Sequence, residues 1–347
     1  MITAINGGSA AGNRYNVTGA ISRTTTTDTI SGAGTATSPV IIRGYSSSIG
    51  DLIAATRTNN NGLLVTTNFP ALSYTSGRLS ITGNYIIVET MSITSAATVG
   101  TVSLASGTTS TYLRACKVSS TGTNANSVGL AVSGGEAFNC DLSFAGASGG
   151  SAAATIANSG GRIVACHVTS TGSAVGVLIS ATTASLLESV INNCAGIGVN
   201  ITAAASSAIL NGCTVVGSGS DGIALPASTT GAIRITNCLI TDNAGFGVNM
   251  QATTNSVYLA VNRYRDNTSG NIGNAGDWVT AANYNAVTSG NGTSDYTNAG
   301  SGDYSLLSTS PAVNAGQPYS RSIGALQRGQ SASGGIIDTG FDGGFDG

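Results

Sequence analysis

Few side chains here could do chemistry. The 347 residues include six cysteines (Cys116, Cys140, Cys166, Cys194, Cys213 and Cys238), a single histidine, His167, and 15 acids. Cleaving a glycosidic bond needs two carboxyls about 5 to 10 Å apart. The segments TDNAG and RDNTSG offer one such pair, Asp242 and Asp266, with Arg263 and Arg265 nearby, and Asp221 precedes them at a different offset. The same Asp-Asn pairs are ordinary turn chemistry, because these side chains bond their own backbone where a chain bends. No catalytic residue is therefore assigned; Asp242, Asp266 and Arg263 are the candidates should the protein be an enzyme. Asp51, Glu89, Glu136, Asp141 and Glu188 each stand alone in the sequence.

The cysteines are too widely spaced for a Cys-x-x-Cys metal or redox motif. They are expected to be buried free thiols acting as small apolar fillers, with no metal and no cofactor. His167 follows Cys166, so strand alternation is expected to turn it to solvent.

The cysteine spacing also reveals the elements that must position these residues. Five cysteines share one local pattern, in YLRACKVSS, EAFNCDLSF, RIVACHVTS, AILNGCTVVG and AIRITNCLITDN. The segment LLESVINNCAGIGV fits if Ser189 takes the cysteine slot. The slots Cys116, Cys140, Cys166, Ser189, Cys213 and Cys238 then follow one another at steps of 24, 26, 23, 24 and 25, and Arg263 continues the series with a step of 25. Cys194 is out of register and aligns with Asn243. After each slot come a small polar turn and a second apolar strand: VGLAV, AATIA, VGVLI, GIGVNI, DGIALP or FGVNM. A short strand-and-turn unit repeating at fixed period is a solenoid coil, stacked on the next at about 4.8 Å. The expected fold is all-β, a right-handed parallel β-helix of roughly ten coils of about 24 residues, its hand following the rule for parallel crossovers. The slot residues then form a ladder pointing into the tube.

Composition agrees and excludes other classes. Charged residues are only 8% and aromatics 5%, while apolar residues reach 41%, so the core is built from small side chains. With one lysine, Lys117, and no basic run, no nucleic-acid partner is expected. No stretch of 18 apolar residues occurs, so no membrane partner is expected. The N-terminus lacks the charged and apolar regions of a secretory signal, which points to synthesis in a cytoplasm without export.

The coil pattern over residues 30 to 270 resembles the pectate-lyase-like superfamily of right-handed β-helices, which includes lyases, glycosidases, phage tailspikes and surface proteins. Residues 303 to 327, DYSLLSTSPAVNAGQPYSRSIGALQ, resemble the closing motif of bacterial and phage β-helix proteins. The matching positions are Asp303, Tyr304, Leu306, Ser310, Pro311, Ala312, Asn314, Gly316, Ile323, Gly324 and Ala325; Ser322 stands where an acid is usual. For a lyase the resemblance implies acidic calcium ligands plus an Arg or Lys base on one outer face, which the scarcity of acids disfavours.

Four regions follow: a cap over 1–29, the β-helix over 30–270, a closing region over 271–328 with Trp278 and Tyr284 covering the C-terminal end, and a Gly- and Asp-rich tail over 329–347. The tail holds Phe341 and Phe345, candidate anchors of a peptide that docks on a neighbouring subunit. Cytoplasmic synthesis, reduced thiols and a near-neutral surface (net charge −2) point to a structural protein of a phage virion. A capsid decoration (cement) protein or small tailspike-like projection is expected. The expected partners are its own copies, as a homotrimer by resemblance to phage β-helices, other virion proteins such as the capsid shell, and a host surface glycan. The alternatives are a polysaccharide lyase or glycosidase (a tailspike depolymerase) and a secreted β-helix adhesin.

Overall fold

The computed structural model describes residues 11–48, 68–273 and 295–324, apart from short interruptions within each stretch. Trp278, Tyr284, Phe341 and Phe345 lie outside the described residues.

Three parallel sheets of ten strands each form the solenoid. Every coil contributes one strand to each, here called sheets A, B and C in chain order. The first coil comprises Arg14–Val17, Ala20–Arg23 and Asp28–Ile30; a middle coil comprises Glu136–Phe138, Asp141–Phe144 and Ala152–Ile156; the tenth comprises Ser256–Ala260, Arg263–Arg265 and Gly270–Gly273. Among the described residues there is no α-helix. The solenoid begins at Arg14, inside the stretch expected to cap it, because RYNV, AISR and DTI pair in register with the second coil.

Alternation places one apolar column of each sheet inside the tube. Leu113, Ala137, Ile163 and Leu186 line it from sheet A, and Val118, Leu142, Val168 and Ile191 from sheet B. Leu104, Val132, Ile156 and Ile179 line it from sheet C. These side chains form one continuous buried cluster from the first coil to Tyr264 in the last.

The corner between sheets A and B is a tight turn built the same way in every coil from the third on. Its first residue is left-handed: Thr90, Ala115, Asn139, Ala165, Glu188, Gly212, Asn237 and Val261 have φ between 47° and 66°. The next residue is the slot, occupied by Met91, Cys116, Cys140, Cys166, Ser189, Cys213, Cys238 and Asn262, all buried. Arg263 is therefore not the continuation of the series. It pairs with Leu239, one residue past the slot, and Asn262 takes the position.

The slot side chains do more than fill space. The left-handed turn takes the slot N–H out of the backbone ladder, and a buried N–H needs a partner. The slot side chain of the following coil supplies it. Cys140 N–H donates to Cys166 Sγ at 3.4 Å, Cys166 N–H to Ser189 Oγ at 3.1 Å, and Cys238 N–H to Asn262 Oδ1 at 2.9 Å. The same side chain also reaches a strand carbonyl of the preceding coil. Cys140 Sγ lies 3.3 Å from Leu113 O, Cys213 Sγ 3.2 Å from Leu186 O, and Asn262 Nδ2 2.8 Å from Ile235 O. A thiol, a hydroxyl or a carboxamide can each both accept and donate, which unites three chemically different residues in one column.

In the later coils the corner between sheets B and C has the same left-handed form, and its two asparagines repeat the device. Asn193, Gly217, Asp242 and Asp266 are left-handed, and Cys194, Ser218, Asn243 and Asn267 follow in the slot. Asn243 Oδ1 accepts from Ser218 N–H at 3.0 Å and its Nδ2 approaches Val215 O at 3.4 Å; Asn267 does the same to Asn243 N–H and Ile240 O, at 3.3 and 3.1 Å. Cys194, out of step with the other cysteines, is thus the first residue of a second slot. Here the side chains lean over glycines. A Cβ on Gly198 would meet Ser218 Oγ at 2.6 Å, and one on Gly222 would meet Asn243 Nδ2 at 2.7 Å.

All six cysteines are free and buried. Desolvation pushes Cys116 up to about 12 and Cys194 to about 11, and drives Cys140 and Cys213 well upward too. None should therefore react with a thiol reagent in the native protein, whereas all six should react after unfolding. Cys140→Ser retains a donor and an acceptor and should change stability little. Cys140→Ala orphans a buried corner amide and carbonyl and should cost about 1 to 3 kcal/mol in chemical denaturation. Gly222→Ala should cost a similar amount, about 1 to 3 kcal/mol, by overpacking against Asn243.

Candidate functional site

Asp242 and Asp266 stack on successive coils, because Thr241 pairs with Arg265. Both occupy the left-handed corner position, with φ of 58° and 51°, which Asp and Asn tolerate better than most residues. Their carboxylates are half-exposed and share one guanidinium: Arg265 reaches Asp242 at 3.1 Å and Asp266 at 2.6 Å. Burial pushes the Asp242 carboxyl upward, against the pull of Arg265.

Arg265 is committed elsewhere as well. Arg263 and Arg265 both point outward from sheet B and clamp Asp295, each at 2.9 Å. Arg263 and Asp295 are both 1% exposed, so Arg263 cannot serve as a base at an open face. Asp295 begins a strap, in which Tyr296–Asn298 and Asp303–Leu306 pair antiparallel. The strap lies along the outer face of sheet B. Tyr304, Leu306, Ala312 and Ile323 pack with Val190, Val216 and Leu239 in a second buried cluster. Tyr296 OH is 2.8 Å from Thr241 Oγ1, Tyr304 OH accepts from Asn192 and Asn193 at 3.1 and 3.2 Å, and Gly324 N–H donates to Asn237 O at 2.9 Å. The described part of the closing region therefore covers the solenoid's side. Sheet B strands there are buried on both faces, and VIN, TVV and LIT read as unbroken burial.

His167, expected at the solvent face, and Asp141 beside it do point out of the tube from adjacent coils but are only 6% and 9% exposed. Alternation gives direction; it does not give cover. Lys117, next in that column, is exposed.

The outer face of sheet A carries a second grouping, and the sequence signal for it is the slot itself. Residues four before successive slots are Tyr112, Glu136, Arg162, Ser185, Ile209, Arg234 and Tyr258; those two before are Arg114, Phe138, Val164, Leu187, Asn211, Thr236 and Ala260. Arg162 pairs with Glu136 at 2.9 Å, Arg114 stands 5.9 Å over the Phe138 ring, and Arg43 pairs with Glu89. Burial raises the Glu136 carboxyl above its usual range, with Arg162 and then Arg114 pulling the other way. Rings, guanidiniums and a carboxyl are thus in line on neighbouring rungs.

Removing Asp295 should be far more damaging than removing either corner acid. Asp295→Ala removes the buried carboxylate that Arg263 and Arg265 share and should cost about 3 to 5 kcal/mol by thermal or denaturant unfolding. Asp242→Asn and Asp266→Asn, each removing one half-exposed partner, should each stay within about 1 kcal/mol.

Two comparisons bear on this architecture. No curated protein matches the chain. Residues 104–292, more than half of it, match the family model described as "Right handed beta helix region". Ten stacked coils, parallel pairing throughout the solenoid and this match agree, and the chain belongs to the right-handed β-helix family.

Proposed function

We propose that the protein is a non-catalytic structural component of a phage virion surface, a capsid decoration protein or small tailspike-like projection that assembles as a homotrimer. The fold is consistent with a surface projection, and one observation carries the rest of the reading. The acid pair that could have been catalytic is bound up with Arg265, and Arg263 is sealed with Asp295 beneath the strap. These charges pair with one another and with the strap, which supports a structural role for them. A stiff rod with neutralised corners suits a part that is displayed and packed against copies of itself.

One observation favours a second reading, a glycan-cleaving projection. Glu136 on sheet A is a half-buried carboxyl beside Tyr112 and Arg162, raised by burial above the usual carboxylate range, the direction a general acid needs. That reading needs a second carboxyl in line, and Glu89, two coils earlier, is already paired with Arg43.

Light scattering behind a sizing column separates these readings. The structural reading expects a particle of three times the 34.0 kDa chain, stable on dilution, and no loss of polysaccharide viscosity on incubation. A monomer at every concentration would defeat it. Depolymerisation abolished by Glu136→Gln would establish the second reading.

A further inference from the structure

Beneath the strap, the two faces of sheet B belong to different cores. Ile191, Val215 and Ile240 point into the tube and join the cluster that runs through the solenoid. Val190, Val216 and Leu239 point the other way and pack with Tyr296, Tyr304, Leu306, Ala312 and Ile323. Among the described residues the two clusters share no member, and the strap's is by far the smaller. The backbone of sheet B lies between them, so the tube's burial does not depend on the strap being in place.

Backbone pairing is divided in the same way. Three ten-stranded sheets close the coils, and the strap adds no strand to any of them. Its own pairs are internal: Tyr296–Asn298 with Asp303–Leu306, Leu307 N–H to Asp295 O at 2.9 Å, Ser310 N–H to Leu307 O at 3.0 Å, and Ile323 N–H to Ala312 O at 2.8 Å. The rings of Tyr296 and Tyr304 meet edge to face at 5.3 Å and tie its two strands together. Attachment to the rod rests on side chains and one edge contact: Asp295 with Arg263 and Arg265, Tyr296 with Thr241, Tyr304 with Asn192 and Asn193, and Gly324 with Asn237. Two units with separate cores and separate hydrogen-bond networks open at different free energies, the smaller one first.

We propose that the strap is a detachable cover. It leaves sheet B as one unit while the ten coils stay stacked, and it thereby uncovers the apolar column Val190, Val216 and Leu239. The rod then has two surface states, one with this part of sheet B sealed and one with an apolar stripe presented to water. This inference is independent of where the rod is displayed and of how many copies assemble.

The test uses neighbouring residues that face opposite ways. Val216→Cys and Val215→Cys are made separately in the full-length chain and exposed to a thiol reagent under native conditions, and the modified position is mapped by mass spectrometry. Val216→Cys is expected to be modified, because each opening of the strap bares it. Val215→Cys, inside the tube, is expected to stay as inert as the natural cysteines. Adding Asp295→Asn should raise the rate at Val216→Cys about tenfold and leave Val215→Cys unchanged. Should Asp295→Asn not fold, Ser310→Ala, which removes the hydrogen bond from Ser310 Oγ to Asp295 Oδ1, takes its place with the same direction expected. Should Val216→Cys not fold, Leu239→Cys reports from the same column. No modification of the outward position, equal rates at the outward and inward positions, or an outward rate indifferent to loosening Asp295 would each overturn the proposal.

Discussion

A solenoid coil has to turn, and each left-handed corner withdraws one N–H and one carbonyl from the parallel ladders. Everything else in the molecule depends on how those groups are satisfied. The answer is a short side chain from the next coil that accepts from the amide and approaches the carbonyl. Cysteine, serine and asparagine perform this task in turn along one corner, and Asn243 and Asn267 perform it along the other. The apolar tube contributes most of the burial, but burial alone does not fix register. A one-residue slip of any coil would leave two buried polar groups unpaired at each corner, while a bracketed corner has both matched.

The strap is bound by a different kind of force. Its apolar residues meet the apolar outer face of sheet B, and its polar anchor is one carboxylate between two guanidiniums, all almost wholly enclosed. An enclosed ion cluster is weak evidence for net stability but strong evidence for position, because no other placement of Asp295 would satisfy Arg263 and Arg265 together. Val261, a β-branched residue forced into the left-handed corner at φ 56°, also packs against the strap. Strain tolerated there indicates that the strap's contacts hold the corner as much as the corner supports the strap.

Much of this is legible in the sequence, and the exceptions are informative. The slot series from Cys116 to Cys238, with Ser189 inserted, matches the observed register, since the recurring period allows only one alignment of so many cysteines. It fails at its last member because steps of 24 and 25 both occur, and Asn262 looks less like a cysteine than Arg263 looks like a continuation. The role of the slot is the harder inference: apolar filling explains cysteine but not asparagine, and Asn243, Asn262 and Asn267 are the clue to the second function. The first coil escapes a reading by periodicity because RYNV and AISR carry little apolar signal. Burial of His167 and Asp141, and the path of the strap, depend on contacts between segments far apart in sequence, which periodicity does not encode. The arginines of sheet A are hidden for the same reason: they are spread from Arg14 to Arg234 and meet only when the coils stack.

The corner bracket also has a direction. At the corner slots the side chain that accepts from a coil's amide belongs to the coil that follows. A nascent solenoid emerging from its N-terminus therefore completes each coil by adding the next, and its unfinished corners are always at the growing end. The polarity of the chain is thus also the polarity of its corner brackets.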